Sequence, residues 1–108
     1  MVQQALTEND GRPAATDRTR RGMRLGVVRE LLADLDTVTS AGITFTMAKV
    51  VDLLRAEIGV AEAALSDLHR RVIRCALDDL AREQDRLLPD ADTFVLRTQM
   101  ITDTLALV

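Results

Sequence analysis

The sequence predicts a mainly α-helical single domain, and three observations carry that prediction. Apolar residues recur at spacings of three and four in successive stretches, the stripe of an amphipathic helix. At 108 residues with 47% apolar composition, the chain suits one domain with one core. Phe45 and Phe94 are its only aromatic residues, so the core is built from Leu, Val, Ile, Ala and Met.

Residues 1 to about 20 carry no apolar period and contain Gly11 and Pro13, which reads as a flexible N-terminal arm before a domain over residues 21–108. A first helix follows, from Gly22 or Met23 to Leu35. Leu25, Val28, Leu32 and Leu35 form its stripe, widened by Val27 and Leu31. Asp36 to Gly42 is a loop rich in Thr, Ser and Gly.

Ile43-Thr44-Phe45 alternates apolar and polar as a short strand does. Thr46 then suits the N-cap of a second helix running from Met47 to about Glu57, with Met47, Val50, Val51, Leu54 and Ile58 on its apolar side. Gly59 is placed at the turn, in the left-handed conformation that ends helices. Leu54, Ile58, Val60, Leu65 and Leu68 then fall where two crossing helices touch.

The third helix lies between about Glu62 and Glu83. Leu65, Leu68, Val72, Ala76 and Leu80 form its stripe, broadened by Ile73 and Leu77. Its first turn has a break candidate at Ser66, a second cap residue. Two readings compete beyond it. Arg86 to Leu88 and Thr93 to Arg97 form two strands of a hairpin around Pro89-Asp90-Ala91-Asp92, or a fourth helix runs from Asp92 to Leu107 with Phe94, Ile101, Leu105 and Val108 at helical intervals. Gln99 to Val108 is helical in both.

The order helix, short strand, helix, turn, helix, hairpin resembles the winged helix-turn-helix superfamily over about residues 23–97. The residues that carry the resemblance are Ile43-Thr44-Phe45-Thr46, Ile58-Gly59-Val60, Ala76-Leu77-Asp78-Asp79-Leu80, Arg86-Leu87-Leu88 and Thr93-Phe94-Val95-Leu96. It implies three helices, a β-hairpin wing and a C-terminal helix; the alternative architecture is an all-α four-helix bundle. It also implies that the third helix enters the DNA major groove. The recognition face would be Ser66, Arg70, Arg71 and Arg74. Separately, the N-terminal arm could touch phosphates through Arg18, Arg20 and Arg21. Arg55, Glu62, Asp67 and the acidic wing tip Asp90 and Asp92 depart from that pattern.

A small DNA-binding transcriptional regulator is therefore the expected function. A non-enzymatic interaction module that dimerises through its C-terminal segment is the alternative. Met100, Ile101, Leu105 and Val108 are apolar to the last residue and are expected either to meet another chain or to cover the first helix. The shape of residues 85–97 discriminates the two functions: a continuous helix removes most of the reason for proposing DNA.

Net charge is −3, which argues against indiscriminate nucleic-acid binding. Lys49 is the only lysine, and the arginines cluster at Arg18 to Arg24 and Arg70 to Arg74. His69 and Cys75 are the only residues of their types. Six residues at about 100° each put them on different faces of a helix, so they do not make a metal pair. Asp78 and Asp79 point about 100° apart and read as a solvated face. No glycine loop suited to phosphate, no nucleophile elbow and no zinc spacing is present. No catalytic residue, cofactor or metal is expected. With one cysteine and no membrane-length apolar run, the expected location is the cytoplasm.

Overall fold

The computed structural model describes residues 13–35 and 40–108. Four helices build it: α1 (Pro13–Asp34), α2 (Ser40–Ala61), α3 (Asp67–Asp85) and α4 (Ala91–Ala106). Among the described residues there is no β-strand. The four-helix alternative is the architecture observed, and the hairpin wing is absent.

Helix α1 begins at Pro13, a residue suited to the first helical position because its missing N–H would be unpaired there in any case. Residues 13–20, expected in the flexible arm, are thus helical, while residues 1–12 lie outside the described residues. Leu25, Val28, Leu32 and Leu35 are buried as expected, Leu31 packs partly against the core, and Val27 is exposed. Arg21 extends the buried stripe by one turn.

Helix α2 starts upstream of the expected strand. Ile43 falls four residues before Met47, so Ile43, Met47, Val50 and Leu54 make one helical stripe, and this longer period outweighs three residues of alternation. Phe45 faces solvent, with the Lys49 ammonium 5.8 Å from its ring centre. Thr46 lies inside α2 and is buried, so it is not the cap.

Gly59 is not a turn residue. Neither it nor any other described residue has a positive φ. Helix α2 continues to Ala61, whose side chain is buried, and a single 3₁₀ turn (Glu62–Ala64) and an extended Leu65 complete the connection. A glycine costs a helix only about 1 kcal/mol, a penalty that burial of Ala61 and Leu65 offsets. Ser66 caps α3: its Oγ accepts the His69 backbone N–H at 3.1 Å.

The third stripe is rotated from the expected one. Ile73, Ala76, Leu80 and Glu83 are the buried positions of α3, Val72 is half-buried, and Leu68 is 64% exposed. Val60 is also exposed, so of the five residues expected at the helix crossing only Leu54 and Leu65 are fully buried.

Residues 86–90 form the connection where the wing was expected. The buried Glu83 carboxylate accepts from Arg86 Nη1 at 3.1 Å and from the Asp90 backbone N–H at 2.8 Å, closing the turn. Asp90 then caps α4, accepting from the Asp92 and Thr93 backbone N–H groups at 3.1 and 3.4 Å and from Thr93 Oγ1 at 2.9 Å. Phe94, Thr98, Ile101 and Leu105, spaced four, three and four, are all buried in α4. Leu96, which a strand would set on the face of Phe94, is instead 59% exposed. α3 and α4 pack most extensively, and α1 and α2 each contact both each other and α4.

Candidate functional site

Chemistry-bearing groups gather in three places: a buried ion cluster, the exposed face of α3, and the seam between α1 and α4.

The ion cluster centres on Glu57 of α2, which is almost fully buried. Its Oε1 accepts from Arg21 Nε at 3.1 Å and Arg24 Nη2 at 2.9 Å, and its Oε2 accepts from Arg24 Nε at 2.5 Å. Arg21 Nη1 also donates to the Val108 carbonyl oxygen at 2.5 Å, so α1, α2 and the segment that follows α4 meet through one guanidinium. The Arg24 hydrogen bonds hold the Glu57 carboxyl below its ordinary value of 4.5; burial opposes this, and Arg21 adds to the lowering. Sequence reasoning gave Arg21 to phosphate contact and gave Glu57 no role. Arg21 is buried and held by Glu57 and the Val108 carbonyl oxygen, so it does not stand on an open face that a DNA duplex could lie against.

The expected recognition residues divide in the same way. Ser66 is occupied as the α3 cap. Arg70 turns back on the connection: Nη2 donates to the Glu62 carbonyl oxygen at 2.9 Å, and its guanidinium lies 3.8 Å from the Glu62 carboxylate and 3.6 Å from that of Asp67. Arg71 and Arg74 are exposed and form no ion pair among the described residues. Arg20 is exposed on α1, a helix that shares no extensive contact with α3. The structure therefore leaves Arg71 and Arg74 exposed on α3, sets Arg74 beside Arg70 in one small pocket and Arg71 on the groove toward α4, and holds Arg20 and Arg21 on another helix.

The four expected interface residues also separate. Ile101 and Leu105 are fully buried in the chain's own core. Met100 is exposed beside an open apolar groove between α3 and α4, whose other lining includes Val72, Cys75 and Ala76. Val108 is half-buried against the core.

An open groove of about 750 Å³ runs along the α1–α4 seam. Arg29, Leu32 and Ala33 line it from α1; Ala91, Asp92, Val95, Leu96, Gln99, Thr102 and Asp103 line it from α4. The sequence offered no signal for it, since each lining residue is unremarkable on its own helix and only tertiary packing brings them together.

Among the described residues, no group of three or more His, Cys, Asp or Glu side chains stands close enough to hold a metal ion. No helix among them is long and apolar enough to cross a membrane. Comparison with protein-family models, with curated proteins and with solved structures gives no match to this chain.

Proposed function

We propose that this protein is a non-enzymatic interaction module that receives an amphipathic helix of a partner protein in the α1–α4 groove. The groove itself carries the reading: an open channel with Leu32, Val95 and Leu96 inside and charges of opposite sign on its two sides. Arg29 stands on the α1 side, and Asp92 and Asp103 stand on the α4 side. The two aspartates are eleven residues apart, about 16 Å along the helix axis, the length of three turns of a bound helix. A matching partner has an apolar stripe at i, i+3 or i+4, and i+7, basic residues toward α4 and an acidic residue toward Arg29.

Selection from a library of amphipathic helical peptides tests this. Enriched peptides should carry the apolar stripe with basic residues about three turns apart. Leu96→Asp should weaken them at least tenfold, and Asp92→Lys with Asp103→Lys should reverse the charge preference. No enrichment, or binding indifferent to these substitutions, removes the reading.

One observation favours a second reading, a small DNA-binding transcriptional regulator acting as a dimer. Arg71 and Arg74 stand exposed on α3, the helix that follows the α2–α3 turn. The missing wing and the internal engagement of Arg21, Ser66 and Arg70 withdraw its other supports. Selection from random duplexes at physiological salt tests it: an enriched sequence whose affinity falls with Arg71→Ala and Arg74→Ala would place it ahead.

A further inference from the structure

We infer that the α1–α4 seam carries a site for a small tetrahedral dianion, a phosphate monoester or free phosphate, held by Arg18 and Arg29 with Arg21 at its inner wall. The site is a pocket of about 100 Å³, close to the size of one phosphate group, lined by these three arginines together with Gly22 and Val108 and by no acidic residue. It shares Arg29 with the helix-docking groove but does not rest on that reading.

Helix geometry accounts for the convergence. Eleven residues at about 100° each make three turns and about 20°, so Arg18 and Arg29 share one face of α1 about 16 Å apart along its axis, and both line the pocket from its two ends. Between them Gly22 contributes no side chain, leaving room for both long arms to bend toward the gap. Arg21 is fixed from behind by Glu57 and by the Val108 carbonyl oxygen, so one wall of the pocket is a guanidinium that does not need to be ordered on binding.

Charge decides which anion fits. Glu57 is shared by Arg21 and Arg24, so one carboxylate serves two guanidinium groups. Arg18 and Arg29 form no ion pair among the described residues, and among those residues positive charge around the pocket exceeds negative charge by at least two. A monoester phosphate carries about −1.5 to −2 at neutral pH and offers three strong acceptor oxygens, matching both the charge and the forked donors of arginine. A carboxylate or a phosphodiester supplies a single negative charge and matches half of it.

Titration of the full chain by NMR and calorimetry at fixed ionic strength tests the inference, with inorganic phosphate, sulfate, O-phosphoserine and acetate as probes. Phosphate and sulfate should perturb the amides around Gly22 and Ala106, and acetate should bind at least tenfold more weakly. Arg18→Gln with Arg29→Gln should lower phosphate affinity at least tenfold. Both side chains are exposed, so the fold should survive, and circular dichroism with an unchanged melting curve checks that it does. Arg18→Lys with Arg29→Lys, which keeps charge and loses the fork, should fall between the two. Tighter binding of O-phosphoserine than of inorganic phosphate assigns the ester as the ligand; the reverse assigns the free ion. Acetate binding as tight as phosphate, affinity unchanged in the double Gln variant, or no saturable binding to the wild type overturns the site.

Discussion

Glu57 and Glu83 are both buried carboxylates, yet one is neutralised across the fold and the other within a few residues of itself. Glu57 on α2 meets Arg21 and Arg24, 36 and 33 residues away on α1. Glu83 on α3 meets Arg86 three residues on and the Asp90 N–H seven residues on. The distant pair ties helices together and exists only once the bundle has assembled. The local pair shapes a turn and can form as soon as α3 ends. One amino acid thus serves as a tertiary clamp in one place and as a turn-closing acceptor in the other.

The largest effect should come from breaking the clamp. Glu57→Ala leaves the buried Arg21 without its carboxylate, and removing one partner of a buried pair costs about 3 kcal/mol. Arg24 is half-exposed and regains water, so the loss should come chiefly through Arg21. Denaturant unfolding of Glu57→Ala, Arg21→Ala and the double variant should show strong coupling. Replacing both by Leu should cost much less than Glu57→Ala alone. Additive single losses would mean that the two side chains do not act as a unit.

Acid sharpens the same comparison. Glu57 is held below its ordinary value of 4.5, so the unfolded chain binds the proton first as pH falls. Its stabilisation is complete above about pH 4.5 and disappears as pH drops through the lowered folded value. Asp79, lowered by its hydrogen bond from Arg82 and then by Arg97, and Asp90, lowered by its hydrogen bonds from Thr93, act with the same sign. Glu57→Gln should therefore make the acid limb of the stability profile shallower without abolishing it. A limb of unchanged steepness would refute the assignment.

Glu83→Ala should do less, about 2 kcal/mol, because Arg86 is mostly exposed and only the Asp90 N–H loses a partner in a partly buried place. Its signature should be local. Amide exchange should quicken at residues 86–93 and leave α1 and α2 unchanged. Exchange that quickens equally throughout would make Glu83 a clamp like Glu57.

This difference in range explains what was legible in the sequence. The stripe Leu25, Val28, Leu32 and Leu35 was readable because periodicity is a local property, and so was Ser66 as a cap. The hairpin expected at 86–97 failed because Phe94 and Leu96 satisfy strand alternation while Phe94, Ile101 and Leu105 satisfy a helix. The deciding feature is the Asp90 cap with Thr93 three residues on, a signal present in the sequence and read as turn chemistry. Arg71 and Arg74 are exposed on α3, off its apolar stripe. Arg21 was not placed, because its burial depends on Glu57, and nothing local marks two charges so far apart as partners. The α1–α4 groove and its small basic pocket were likewise unreadable, being made by two helices at opposite ends of the chain.

The smallest expected effect has the opposite sign. Gly59 lies two residues beyond Glu57, where the helix had been expected to end. In the structure it is an exposed residue inside α2 with helical φ, and a Cβ built on it meets nothing within 4 Å. Gly59→Ala should therefore stabilise the protein by about 0.5–1 kcal/mol, since alanine loses less backbone freedom than glycine when a helix forms. The gain should also stiffen the last turns of α2, which present Glu57 to Arg21 and Arg24, so amide protection near Glu57 should rise while that around Glu83 stays constant. Were Gly59 instead the left-handed turn residue, the same substitution would strain the backbone and lower the melting temperature. A melting curve of this single variant separates the two conformations by the direction of its shift.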